Sequence, residues 1–251
     1  MQPEIILDTK ELNILKLVLE DVEKFLTCDF AVGGSMAQRA LLPQFGRSIE
    51  AQKSSDIDLV LLGGSQKDCP VLPTLKNYFY VISITESFDG YYFGLIHKKT
   101  KKWVDLFPTA YKRNYIDIKI GEKIYKAESI GSQILYLAHD ILWRIKDRND
   151  VRQKWIDKIK FLVSNITEQE AFESEFLHHK EYLLEYFPKH LKIPENVREF
   201  IELILNYATS FITPPVKKNW FLLLKNYYKD SVTTSNGITI DSRMTMLRTL
   251  F

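Results

Sequence analysis

The chain has 251 residues, of which 45% are apolar, 13% aromatic and 26% charged, a composition that excludes disorder over most of its length. Thirty-four Lys and Arg stand against 32 Asp and Glu, and a formal charge of +2 excludes a protein that holds nucleic acid by its overall charge, leaving only a local patch for such contact. Cys28 and Cys69 lie in no CxxC pair, no run of 18 apolar residues occurs, and no basic N-terminal region leads into an apolar stretch. The expectations are two reduced thiols, no membrane contact and a cytoplasmic location.

Asp8 with Glu11 three residues on marks a capped helix start, and Leu12, Leu15, Leu19, Val22 and Leu26 recur at helical spacing, which predicts a helix over about 9–27. Phe30-Ala31-Val32 is a short strand ending in Gly33-Gly34-Ser35, and Met36 to Leu42 reads as a helix stopped by Pro43. Ile57 to Leu62 is an apolar strand closed by Gly63-Gly64, and a short helix is expected within Pro70 to Phe79. Tyr80 to Thr85, Tyr91 to His97 and Trp103 to Phe107 are β-branched and aromatic runs, and Tyr115 to Lys126 alternates like a hairpin about Gly121-Glu122. Lys98, Lys99, Lys101 and Lys102 around Thr100 read as a solvated hairpin tip, with a polyanion-binding finger as the alternative.

From Glu128 the period becomes helical, through Ile134, Leu137 and Ile141 and again through Ile156, Ile159 and Leu162, with further helices near 168–187, 195–211 and 216–229. The fold class expected is α+β: a mixed-sheet domain over 1–127, an all-helical domain over 128–230, and a loosely held tail over 231–251.

The chemistry gathers in the first part. On an extended strand Asp56 and Asp58 project to one face while Ile57 and Leu59 take the other. Paired carboxylates repel unless a cation lies between them, and an oxygen-only donor set suits Mg²⁺ or Mn²⁺. Asp105, flanked by apolar residues on another strand, is a candidate third ligand. Gly33 and Gly34 allow backbone N–H groups to approach a phosphate, Ser35 adds a hydroxyl, and Arg39 lies one helical turn further on. Neither a Walker loop nor the dinucleotide fingerprint is present. An EF-hand is excluded by Ile57 and Leu59, and the acids open their strand rather than end it, unlike the Asp-x-Asp pairs of haloacid-dehalogenase phosphatases and nucleotide-sugar glycosyltransferases.

A Gly-Gly-Ser turn opening a helix, an Asp-x-Asp strand some twenty residues later and a third Asp on a later strand resemble the nucleotidyltransferases of the DNA polymerase β superfamily, among them small bacterial antibiotic-type and toxin-type enzymes. The resemblance covers roughly residues 28–127. It implies that Asp56, Asp58 and Asp105 bind two divalent ions, that Asp105 is a candidate general base, and that Gly34 and Ser35 clamp the β- and γ-phosphates. The stretch Arg47 to Ser54 is longer and more polar than the link in compact members. The implied activity is transfer of a nucleoside monophosphate from an NTP, most simply ATP, to a hydroxyl or phosphate acceptor with release of pyrophosphate.

The acceptor is not spelled in the sequence. Aromatic residues with Glu173, Glu175, Glu181 and Glu185 suit a small cationic molecule, and the +2 balance disfavours nucleic acid. The alternatives are a toxin-type enzyme acting on tRNA or protein, and a non-catalytic nucleotide-binding module of the same fold.

Overall fold

The computed structural model describes residues 2–42, 56–62, 72–87, 90–108, 113–148, 150–166 and 169–213. The stretch 47–54, the glycines 63 and 64, Cys69, the helix expected near 216–229 and the tail 231–251 lie outside the described residues. The described chain divides into two compact units. The first takes the residues up to 108 together with 118–125, and the second takes 113–117 and 126–213.

In chain order the elements are α1 (Thr9–Val22), β1 (Phe30–Val32), α2 (Gly34–Leu41), β2 (Asp56–Leu61), α3 (Leu72–Tyr78), β3 (Phe79–Ser87), β4 (Gly90–His97), β5 (Trp103–Phe107), β6 (Tyr115–Ile120), β7 (Lys123–Glu128), α4 (Ile130–Arg148), α5 (Gln153–Asn165), α6 (Gln169–Tyr186) and α7 (Val197–Thr209). The strands form one seven-stranded sheet in the order β3-β4-β5-β2-β1-β7-β6. The sheet is mixed, since β2 runs antiparallel to β1 and parallel to β5. The fold class is therefore α+β, as the periodicities required.

β2 is the central strand. Ile57, Leu59, Val60 and Leu61 are all buried, so this short segment reads as a nearly continuous apolar run after its two acids. β5 alternates instead: Val104 and Leu106 are fully buried, and Trp103, Asp105 and Phe107 take the other face.

α1 starts where the sequence placed it, with the Asp8 side chain accepting from the Glu11 N–H at 2.8 Å. It buries Leu15, Val18, Leu19 and Val22, and it ends at Val22, five residues earlier than the apolar spacing predicted, with Phe25 continuing into the core from the turn that follows. The Glu11 carboxylate does not close a reciprocal capping box. It accepts from Arg39 Nη1 at 3.0 Å and so ties α1 to α2. At its other end, α1 contributes the buried Asp21, which accepts from Lys24 at 2.5 Å, from His97 Nε2 at 3.1 Å and from Lys99 at 3.2 Å. Cys28 is disulfide-bonded, against the expectation of a reduced thiol.

The second unit is helical. Phe200 of α7 meets Phe176 and Phe187 edge-on, with ring centroids at 5.3 and 5.0 Å. Asn196 caps α7 by accepting from the N–H groups of Arg198 and Glu199. Glu175, one of four glutamates read as facing a cationic acceptor, is instead buried. It accepts from the hydroxyls of Ser129 and Ser132 and from the Asn114 N–H, beside the start of α4.

Candidate active site

Three backbone facts bring the sequence-selected residues of the first unit together. In the parallel pairing of β2 with β5, Asp58 is the direct partner of Asp105, Ile57 of Val104 and Asp56 of Trp103. Side chains of paired residues share a face, so Asp58 and Asp105 stand side by side, with Asp56 two residues earlier on the same face. The Gly33 N–H donates to the Asp58 carbonyl at 2.8 Å, which pins the turn after β1 to the middle acid of β2.

Gly34 then adopts φ +52°, the left-handed region, as the first residue of α2. A Cβ built on it would overlap Asp58 Oδ2 and lie 2.7 Å from Asp58 Cγ. Only glycine leaves room for the carboxylate. The two glycines thus do more than turn the chain. They seat the N-terminus of α2, with Ser35 in its first turn, directly beside Asp58.

Asp105 is held by two partners. The Tyr92 hydroxyl donates to Asp105 Oδ1 at 2.7 Å, and Trp103 Nε1 donates to the same oxygen. Burial raises the Asp105 carboxyl to about 7; the Tyr92 hydrogen bond draws it down, while the charge of Asp58 pushes it up. Burial likewise pushes the Tyr92 hydroxyl above its ordinary value, reinforced by the neighbouring Asp105 charge. Gly94 on β4 is the partner of Asp105, and a Cβ there would come within 3.0 Å of Trp103 Cζ2 and 2.5 Å of Ser83 Oγ. Its missing side chain makes space for the indole that holds the acid.

Tyr92, Trp103 and Gly94 were not singled out from the sequence. Trp103 carried a usable signal, since a residue two before Asp105 on a strand shares its face. Tyr92 carried none, because its approach depends on the antiparallel register of β4 with β5.

Arg39, expected near a triphosphate, is 1% exposed. Its Nη1 is engaged with Glu11, and its Nε and Nη2 have no hydrogen-bond partner.

The donor set tests well against a divalent cation in kind: three carboxylates on one sheet face, two of them in register, with proton affinity at Asp105 already raised by its acidic neighbours. Among the described residues no three His, Cys, Asp or Glu side chains converge into a finished cage. Asp58 and Asp105 form the pair that a cation would bridge, and Asp56, exposed at the strand entrance, completes the set from the solvent side.

No family model matches the chain, and no curated protein matches it. Among solved structures, JHP933 from Helicobacter pylori aligns over 89% of this chain and 100% of its own, at 12% identity and a TM-score of 0.29. An antigenic nucleotidyltransferase-like protein from Paracoccidioides brasiliensis aligns over 83% of this chain and 90% of its own, at 13% identity and a TM-score of 0.36.

Proposed function

We propose that the first unit transfers a nucleoside monophosphate from an NTP, most simply ATP, to an acceptor hydroxyl or phosphate. One observation carries this: Asp58 and Asp105 are register partners on adjacent parallel strands, and the glycine turn that opens α2 is pinned against Asp58. Acids that would bind a metal and backbone donors that would bind a phosphate are thereby set a few ångströms apart, as phosphoryl-group chemistry needs.

Asp56, Asp58 and Asp105 would hold Mg²⁺ or Mn²⁺, which when bound neutralises charge on the triphosphate and on the leaving pyrophosphate. The N–H groups at the start of α2 and the Ser35 hydroxyl receive the terminal phosphates, favoured by the positive end of the helix. Asp105 has the proton affinity of a base that works near neutrality, and the Tyr92 and Trp103 donors fix its Oδ1 so that its orientation is set before substrate arrives. Arg39 acts through position, locking α2 to α1 by way of Glu11.

The test is incubation with each α-³²P-labelled NTP, Mg²⁺ and pooled acceptors (RNA, cell protein and aminoglycosides), following label transfer and pyrophosphate release. Asp58→Ala should reduce both by at least about a hundredfold. Equal release by the wild type and Asp58→Ala would remove the assignment.

A further inference from the structure

The overall charge of +2 conceals how the lysines are distributed. In the turn between β4 and β5, the ammonium groups of Lys98 and Lys101 stand over the ring of Tyr80, at 5.1 and 5.5 Å from its centroid. Lys98 Nζ also donates to the Lys76 carbonyl at 2.6 Å, so the end of α3 lies against the same turn. Lys99 is exposed beside Lys24, both reaching Asp21, and Lys24 stands over the ring of Tyr78 at 5.1 Å. The acids facing this group are the buried Asp21 and, near Lys24, Glu20.

The turn is rigidly held. The His97 N–H bonds the Lys102 carbonyl and the Lys101 N–H bonds the His97 carbonyl, both at 2.9 Å. The fully buried His97 ring is fixed between Thr100 Oγ1, at 2.8 Å, and Asp21. Lys101 has φ +60°, a conformation that glycine would take at lower cost. The lysines are thus presented by a fixed turn, and they are interleaved with aromatic faces.

Strand register places this surface with respect to the acids. Tyr80 pairs with Ile96, Ile96 with Trp103 and Trp103 with Asp56, so one row of the sheet runs from the lysine-covered tyrosine to the first acid. The next row on that face runs through Ser83, Gly94, Asp105 and Asp58. Three strand spacings separate Tyr80 from Asp56, about 14 Å across the same face.

We infer that this lysine and tyrosine surface docks a single-stranded polynucleotide and leads it across the sheet face to the carboxylates. A free phosphate would need one or two of these cations. Ammonium groups beside tyrosine faces suit a chain that alternates charged phosphates with stacking bases. This rests on the nucleotidyl-transfer proposal and names its acceptor class. A hydroxyl of the docked strand attacks the NTP α-phosphorus, a phosphodiester bond forms as the bond to pyrophosphate breaks, and the hydroxyl proton passes to the Asp105 carboxylate.

The test uses fluorescence anisotropy with a labelled mixed-sequence RNA strand of about 20 nucleotides, over a salt series, beside calorimetry of ATP with Mg²⁺. The wild type should bind RNA with affinity falling steeply in salt. Lys98→Glu/Lys101→Glu should bind at least about tenfold more weakly, and the neutral pair Lys98→Gln/Lys101→Gln should lower the log–log salt slope by about 1.4. Both variants should bind ATP as the wild type does. Wild-type protein that binds ATP but no RNA, variants with undiminished RNA binding, or a poly-glutamate peptide bound as tightly as RNA would each overturn the inference while leaving nucleotidyl transfer standing. Absence of ATP binding in the wild type would instead count against nucleotidyl transfer, and the RNA titration would still decide the docking surface.

Discussion

Gly34 lies against the carboxylate of Asp58 so tightly that any side chain at residue 34 would occupy the space of Asp58 Oδ2. Gly34→Ala should therefore displace the acid as well as strain a backbone at φ +52°, with an expected loss of about 1–2 kcal/mol in stability from the backbone and a drop in turnover of about a hundredfold or more. Gly121→Ala is the control. It shares a positive φ of +63°, but its Cβ would meet only the Lys16 side chain, so stability should fall while turnover per folded molecule holds. Denaturant melts paired with pyrophosphate release separate the two.

The Asp105 carboxyl, raised to about 7, gives Mg²⁺ binding a pH dependence of known sign. Below that value the acid carries a proton that must leave when the ion binds, so affinity should weaken as pH falls through about 7 and protons should be released on binding. Tyr92→Phe removes a donor that favours the charged acid, and it should move the midpoint upward. Calorimetry in buffers of different ionisation enthalpy measures both.

Asp21 and His97 make acid stability a second readout. Burial raises the Asp21 carboxyl, but bonds from Lys24, His97 and Lys99 outweigh it and hold the group at about 2, below the ordinary 3.8. Its contribution is present above 3.8 and should be lost as pH falls from there toward 2. Burial keeps His97 below its ordinary 6.5, so its neutral form also favours folding, and stability should begin to decline as pH drops below 6.5. Asp21→Asn should flatten the lower limb of the profile and leave the decline near His97 in place, as read from urea midpoints against pH.

Glu11 faces a guanidinium with two unpartnered nitrogens. Glu11→Ala strands that charge in the core and should cost about 3 kcal/mol, more than Arg39→Met, which replaces the charge with an apolar chain. Chemical denaturation of the two variants gives the comparison. A greater loss in Arg39→Met would show that the arginine stabilises the protein through contacts other than Glu11.

Element existence was legible wherever the pattern was long and local. The period-2 alternation of Trp103 to Phe107 and the spacing of Leu15, Leu19 and Val22 translate directly into a strand and a helix face. The acids and the glycine turn were legible because their chemistry is uneconomical unless used. What escaped depends on contacts between strands distant in sequence. Tyr92 approaches Asp105 through the β4–β5 register, Arg39 turns to Glu11 28 residues upstream, and the lysines of the turn become a surface only when Tyr80 and Lys76 arrive beneath them. Net charge, summed over the whole chain, erased that last feature.

The pairing of Asp58 with Asp105 and of Ile57 with Val104 also bears on how faithfully the sheet assembles. If β2 slid by one residue, every side chain on it would change faces, driving Asp56 and Asp58 into the apolar layer and thrusting Ile57 and Leu59 into water. Two desolvated carboxylates make that misalignment far costlier than a slip in a wholly apolar strand. The acids that serve chemistry thereby act as a proofreader of strand alignment, and swapping both for leucine would remove the safeguard from the middle of the sheet.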